Sequence, residues 1–374
     1  MSEPPALQIV DGEIIVYRLF DFAYEADLVR AEEIWRLHTG ATSARKTLRA
    51  TSPKAISYDV PPLVLPLEPV RLALADGEVT ATATARLYDF GVLTIAFSVT
   101  AGGCNWEGFT ARLNAVDDAI GPGSPHAVWS RLNAELHEVL GPALTRPARS
   151  ILQEDYLVGV VRAFDIPITA AALLERCDLV PLLSGEQRTL SDGARADLLR
   201  KRFSYYTDDL AVLTWDRAFI YEPRGDSDVL DVIEVANAQL LEMRYYDELL
   251  DDELPSMYDL VEKTHRIGGL LSSRRFASLA RRLYTLVAEV TELTEKVDNA
   301  LQVTEDVYLA RIYTAALDLF RVSTVSAAVD RKLAIIRDTY AALYEEASSG
   351  RAAAMEFIIV ILILAEVLLA LLRH

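Results

Sequence analysis

Cysteine is nearly absent. The 374 residues contain only Cys104 and Cys177. A disulfide framework needs more thiols, and a zinc site more still, so reduced, half-buried thiols in a cytosolic setting are the expectation. Histidine is scarce too: His38, His126, His137, His265 and His374 are scattered, and none stands at a HExxH spacing. No GxGxxG, Walker loop or nucleophile elbow occurs. The "GGC" at 102–104 lacks the flanks of a phosphate loop, and the "RGD" at 224–226 reads as an accident of a loop. The N-terminus, "MSEPPALQIVDGE", is acidic and has neither the apolar core of a signal peptide nor the arginines of a transit sequence. On these grounds no enzyme is expected, with catalytic residues none, cofactor-binding residues none and metal ligands none.

Positive charge is also short. The net charge is -18, with 22 basic and 30 acidic residues through Gly225 and 15 and 25 after it. Neither half is basic, so no broad nucleic-acid-binding surface is expected. One local cluster, Arg274, Arg275, Arg281 and Arg282, is equally well explained as a solvated helix face. The densest acidic run is "DELLDDE", Asp247 to Glu253. Asp247 and Asp251 share a helical face where a divalent ion could bridge them, although a solvated helix end is the commoner case.

What is present is patterned hydrophobicity. "LQIVDGEIIVYRLF", residues 7–20, reads as a hairpin around an Asp-Gly turn. Helical spacing follows at Leu28, Ala31, Ile34 and Trp35. A second Asp-Gly turn, Asp76-Gly77, separates "PVRLALA" from the alternating "EVTATATARLYDFGVLTIAFSV". Helices are predicted over 105–119 and 124–144, split by "GPGSP". "DYLVGVVRAF" returns to strand, and "DDLAVLTWDRAFIY" reads as two strands joined near Asp216. Asp208, Asp209 and Asp216 are read as strand-end and turn acids. The mixture has no regular βαβ beat, so the class is α+β.

From Asp228 onward the chain reads as helical. Asp228 fits an N-cap with Asp231 at N3, and Val229, Val232, Ile233, Ala236, Leu240 and Met243 form the buried stripe. Pro255 is expected to break that helix. Phe276, Leu279, Leu283, Leu286, Val290, Leu293 and Val297 then make a heptad seam. Val325, Val329, Leu333, Ile336, Tyr340 and Leu343 make a second stripe. No proline follows Pro255, and two or three long helices folded back on one another are expected.

The closing run "MEFIIVILILAEVLLALLRH" is unlike the rest. Ala352 to Leu372 would make a helix of about 31 Å, against roughly 30 Å of bilayer hydrocarbon. Thirteen of the sixteen residues from Phe357 to Leu372 are Phe, Ile, Val or Leu. They contribute on the order of -4 to -8 kcal/mol to insertion, against about +2.5 to +3.5 kcal/mol for the central Glu366. Insertion wins, and a "SSGR" joint is expected to precede it. The reading is a single-pass C-terminal anchor with the bulk of the chain cytoplasmic and Arg351 on the cytoplasmic side. The domains are then a head at 1–225, a coiled-coil-like helical domain at 226–349 and a transmembrane tail anchor at 350–374. The full architecture expected is an N-terminal mixed α/β head, a long antiparallel helical stalk and a single C-terminal transmembrane helix.

The helical half resembles the required-for-meiotic-nuclear-division family, the YagE-type domain of unknown function, over residues 226–372. Glu356 and Phe357 match the acidic and aromatic residues that open that family's membrane segment, and Glu366 matches its second acid ten residues on. Tyr308, Tyr313 and Lys332-Leu333 are similar to the preceding stretch, and Glu242 to a position on the first long helix. In the head, only "LYDFGVLTIAFSV" resembles a family strand. The resemblance implies an α/β head, a helical stalk, a membrane anchor and large homo-oligomers, which in eukaryotic relatives support mitochondrial translation. It carries no catalytic residues. Without a transit sequence, a bacterial-type cytoplasmic membrane is the expectation here.

Three function classes follow. The leading one is a membrane-anchored, homo-oligomeric, non-enzymatic scaffold with an unknown protein partner, in which Glu366 faces sister helices rather than lipid. The second is a CorA-type divalent cation channel with a Glu366 ring, against which stand the single span and the absent Gly-Met-Asn signature. The third is a membrane-associated enzyme drawing on acids such as Asp208, Asp209 and Asp216.

Overall fold

The computed structural model describes residues 6–40, 44–45, 60–74, 77–121, 124, 126–148, 152–186, 188–225, 228–265 and 307–372, with helical positions scattered between 278 and 291. It is a mixed α/β structure with an N-terminal sheet and C-terminal helices. The strands are β1 (Gln8–Asp21), β2 (Ala23–Ala26), β3 (Ala44–Arg45), β4 (Leu63–Leu74), β5 (Gly77–Leu87), β6 (Val92–Thr100), β7 (Cys104–Asn105), β8 (Leu144–Pro147), β9 (Gln153–Phe164), β10 (Arg202–Phe203), β11 (Leu210–Leu213) and β12 (Arg217–Tyr221). The helices are α1 (Leu28–Thr39), α2 (Trp106–Ile120), α3 (Ala127–Leu140), α4 (Ala170–Arg176), α5 (Val180–Ser184), α6 (Asp192–Leu198), α7 (Val229–His265), α8 (Val307–Leu319) and α9 (Val322–Leu372).

One ten-stranded sheet organises the first unit, in the order β10-β11-β12-β9-β1-β6-β5-β4-β3, with β7 on the end of β1; β2 and β8 form a separate pair. Neighbours are antiparallel except β12 and β9, which run parallel. The central strands β1 and β9 are apolar on both faces, as strands covered on both sides must be. On one face, Ile14 and Val16 of β1 join a core that includes Phe109, Leu113, Val116 and Ile120 of α2 and Trp129, Leu132 and Leu136 of α3. Tyr17 and Tyr156 lie on the opposite face, stacked at 5.8 Å.

The expected hairpin at 7–20 is instead one continuous strand. The Asp11-Gly12 step falls at a bulge where β1 shifts register against β9. Gly12 is needed there because a Cβ would sit 2.9 Å from the Ala101 carbonyl oxygen and 3.1 Å from the Phe109 ring. Both apolar runs pair with β9, and the ladder keeps the chain extended through the step. The turn that does reverse the chain is Tyr88–Gly91, between β5 and β6. Gly91 has φ +92, and a Cβ would meet the Ala23 carbonyl oxygen at 1.7 Å. The pairing of Leu74 with Gly77 agrees with the second Asp-Gly turn, whose residues 75–76 lie outside the described residues. Helices α1, α2 and α3, and strands β9, β11 and β12, fall where the periodicity puts them.

Compactness divides the chain into two units, residues 1–242 with 297–323, and residues 243–296 with 324–374. Beyond the head expected at 1–225, the sheet unit takes in the first turns of α7 and all of α8. The six residues of the α7 stripe, Val229 through Met243, are all buried. The helix then runs on through Pro255 to His265. The proline forgoes one backbone hydrogen bond without ending the helix, a correction to the expected break. Helix α9 is likewise continuous for 51 residues, so the "SSGR" stretch is no joint in its backbone.

Helix α7 meets the sheet through charge as well as oil. Arg86 Nη1 of β5 lies 2.6 Å from Asp231 Oδ1 and 2.7 Å from Glu234 Oε2. The Tyr88 hydroxyl donates to Glu234 Oε1 at 2.9 Å, and Asn237 Nδ2 donates to the Tyr17 hydroxyl at 3.2 Å. Asp231, expected at N3 behind an Asp228 cap, is a first-turn acid and is buried in this clasp. The two carboxylates are nearly fully covered, so Arg86→Ala leaves two like charges buried together. The expected loss is about 3–5 kcal/mol, read from urea denaturation. A variant within 1 kcal/mol of the parent would show that the clasp carries no weight.

Candidate functional site

The residues marked by sequence fall mostly in the second unit. Glu356, Phe357 and Glu366 lie on the helical backbone of α9, and their side chains are outside those described. Of the heptad seam, Leu283 and Val290 are buried, 2% and 1% exposed. Phe276, Leu279, Leu286, Leu293 and Val297 lie outside the described residues. In the second stripe Val329 and Ile336 are buried, again seven residues apart. Val325, Leu333 and Tyr340 are half-buried, and the Leu343 side chain lies outside those described. Arg281 is exposed on a helix; Arg274, Arg275 and Arg282 lie outside the described residues.

The acidic pair Asp247 and Asp251 does bind a cation, but it is an ammonium. Lys332 Nζ lies 2.6 Å from Asp247 Oδ1 and 2.7 Å from Asp251 Oδ1. Burial alone would pull the Lys332 pKa down, and the hydrogen bonds it donates to both carboxylates override it and raise it. Among the described residues no group of three His, Cys, Asp or Glu side chains is arranged to hold a metal ion. Asp209 accepts from the backbone N–H groups of Tyr205 at 2.7 Å and Tyr206 at 3.0 Å, and Asp216 accepts from Thr214 Oγ1 at 3.1 Å. Both act as turn acids.

Three places hold groups capable of chemistry. The first is an ionic cluster on the α2 face of the sheet. Arg217 pairs with Asp117 and donates to Asn114 Oδ1 at 2.8 Å and to the Leu182 carbonyl at 2.9 Å. Arg18 lies 3.2 Å from Asp155 Oδ2, with its guanidinium 4.8 Å from the centre of the Trp129 ring. Desolvation raises the carboxyls of Asp117, Asp155 and Asp216 above their ordinary 3.8, against the pull of the arginines. The second is the thiols. Burial lifts Cys177 to about 11, and Cys104 also rises, so neither is a ready thiolate nucleophile at neutral pH. Two histidines have structural work: His126 Nδ1 caps α3 by accepting from Val128 N at 3.1 Å, and the His137 ring lies 3.8 Å from that of Phe22.

The third is a cleft of about 790 Å³ between the sheet edge and α8, lined by Arg200, Lys201, Arg202, Phe203, Arg311 and Asp318 among others. Lys201 Nζ lies 2.6 Å from Asp318 Oδ2, which holds the Asp318 carboxyl below its ordinary value through that hydrogen bond. The Arg311 guanidinium stands 5.9 Å from the centre of the Phe203 ring. Sequence reasoning passed over this place. The run Arg200-Lys201-Arg202 was visible as three consecutive cations in an acidic chain, but Arg311 joins it only through the fold.

Four apolar side chains near the end of helix α9 are exposed. Ile359, Val360, Leu362 and Ile363 are 51%, 53%, 62% and 55% exposed. Among the described residues no single helix is long and apolar enough to cross a membrane. One bent pair, Val307–Leu319 with Val322–Ala342 at 64°, passes by length and composition. In that pair Tyr308, Leu309, Ile312, Ala315 and Ala316 are buried inside the protein, as in the core helix of a globular unit.

These features define a class: an α/β protein whose wide, mostly antiparallel sheet is bound on one face by a long helix that continues into a second, helical unit. The chain belongs to the family described as "Uncharacterized protein MJ0711, N-terminal domain", which matches residues 11–228. It is similar to "Uncharacterized protein MJ0711" of Methanocaldococcus jannaschii, 26% identical over 194 residues, 52% of this chain and 58% of that protein. The match thus spans less than two thirds of that relative. No solved structure matches the chain.

The ionic cluster generates a pH prediction. An acid whose folded pKa is raised stabilises the fold fully below its unfolded value and loses that contribution as pH rises through the folded one. Stability should therefore fall as pH rises from about 4 through the raised range, and Asp117→Asn should flatten that fall. Urea denaturation across this range measures both slopes; equal slopes would remove Asp117 as a cause.

Proposed function

We propose that the protein is a membrane-anchored, homo-oligomeric scaffold without catalytic activity, presenting its sheet unit on the cytoplasmic side. The observation that carries this reading is the four exposed apolar side chains near the end of α9. At 100° per residue, Ile359, Val360, Leu362 and Ile363 spread over about 160° of the helix circumference. A helix face that wide and that apolar needs a cover of low polarity. Read from its sequence, the run from Ala352 to Leu372, most of whose side chains lie outside those described, has the length to reach across a bilayer, and its composition favours insertion even with Glu366 inside it.

Assembly follows from Glu366 and from the spacing of buried residues. A carboxylate at membrane depth is cheaper to hold against other helices than against lipid chains. Leu283 and Val290, like Val329 and Ile336, recur at seven-residue intervals suited to helix-on-helix packing. The resemblance of 226–372 to the required-for-meiotic-nuclear-division family supports the same reading, and an adaptor role toward another protein fits a head in which Arg18, Arg217, Asp231 and Glu234 pair across packed elements.

The test is fractionation followed by sizing. The full chain should sediment with membranes, resist high salt and release only into detergent, while a chain lacking residues 351–374 should be free of the membrane. In neutral detergent the full chain should run as a discrete oligomer. A full chain that stays soluble without detergent refutes the anchor, and a monodisperse monomer refutes the scaffold.

A further inference from the structure

We propose that the cleft between β10 and α8 binds a small anion carrying clustered phosphate charge, in the class of pyrophosphate and nucleoside polyphosphates. Four of the ten residues lining it, Arg200, Lys201, Arg202 and Arg311, are cations, and Asp318 is its one acid. This stands out in a chain of net charge -18. Local structure has already assigned two of the four: Arg200 pairs with Asp197 and Lys201 with Asp318. Arg202 and Arg311 have no carboxylate partner among the described residues.

The site is built from rigid parts. Arg202 and Phe203 form strand β10, paired through Val212 and Ala211 of β11. Arg311, Ala315 and Asp318 recur along one side of α8 at helical spacing. Phe203 lies within cation–π reach of Arg311 and gives its guanidinium a fixed resting place. Two guanidinium forks on separate elements suit a ligand with two or more charged oxygen groups, each accepting paired N–H bonds. Clustered phosphates have that charge density and a lone carboxylate does not. An entering anion can also take Lys201 from Asp318, since that pair is partly open to water, 31% and 68% exposed.

Size points to a small ligand. A volume of about 790 Å³ falls within the roughly 300–1,000 Å³ of small-molecule sites. An extended polyanion would have to cross the acidic remainder of the surface and be repelled by it. The inference stands apart from the membrane reading, because all ten lining residues belong to the sheet unit.

The experiment is calorimetric titration of the full chain in neutral detergent at low salt, with tripolyphosphate and with ATP. Saturable binding at one site per chain is expected, weakened roughly tenfold or more by Arg202→Ala and likewise by Arg311→Ala. Arg131→Ala, which removes an exposed arginine of α3, should leave it unchanged. All three replaced side chains are exposed, and thermal melting checks that each variant is folded. Short-chain phosphatidylglycerol, but not phosphatidylcholine, displacing tripolyphosphate would identify a lipid headgroup as a source of the same phosphate chemistry. Three results overturn the proposal: no binding, binding indifferent to Arg202 and Arg311, or Arg-dependent binding of a single-stranded oligonucleotide but not of tripolyphosphate.

Discussion

Two buried carboxylates on α7 and one arginine on β5 hold the sheet unit together. Asp231 and Glu234 are turned toward the sheet, where water cannot solvate them, and Arg86 answers both with distances of 2.6 and 2.7 Å. A charge removed from water is tolerable only if its partner is in place, so the helix has one seat. Apolar contact alone would let a smooth helix slide or rotate. The clasp, with Tyr88 on Glu234 and Asn237 on Tyr17, fixes both register and rotation.

The opposite face uses the same device. Arg217 and Arg18 tie β12 and β1 to α2 and β9 through Asp117, Asn114 and Asp155. Between these polar anchors the packing is ordinary close-packed hydrocarbon. Tyr156 links the two layers: its hydroxyl lies 2.8 Å from the carbonyl oxygens of both Thr214 and Arg217, while its ring stacks on Tyr17 and meets Phe320 edge-on. The raised carboxyl pKa values are the cost of burying these acids, offset by the order they impose. They look like signs of catalysis, yet each has a structural partner.

In the second unit, Lys332 shows how a fold decides the meaning of a motif. Two acids four residues apart on a helix suit a divalent ion as well as a lysine, and only a residue eighty positions away in sequence chooses between them. The same holds for positions similar to the required-for-meiotic-nuclear-division family. Tyr313 donates to Gln239 Oε1 at 2.6 Å, Tyr308 and Glu242 are buried, and Lys332 bridges two aspartates. Their part is internal support.

Much of the architecture was legible in the residue order because it depends on local periodicity. Alternation marked β5 and β6, and short apolar runs marked β9, β11 and β12; three-and-four spacing marked α1, α2 and the six buried residues of α7; and composition marked the apolar closing run. Each is a property of neighbours in the chain, read from how often an apolar side chain returns to one face. What sequence could not supply was pairing. Gly12 reads as a turn until β9 is known to run along both sides of it, Pro255 reads as a stop until the helix is seen to continue, and the first-turn acid Asp231 has no visible partner until Arg86 arrives from β5. The cleft is the same case, since Arg202 and Arg311 are over a hundred positions apart. The sequence by itself determined where most of the longer strands and helices lie, and the greasy end. Tertiary structure alone decided which charges meet, because electrostatic partners act through space and leave no period in the chain.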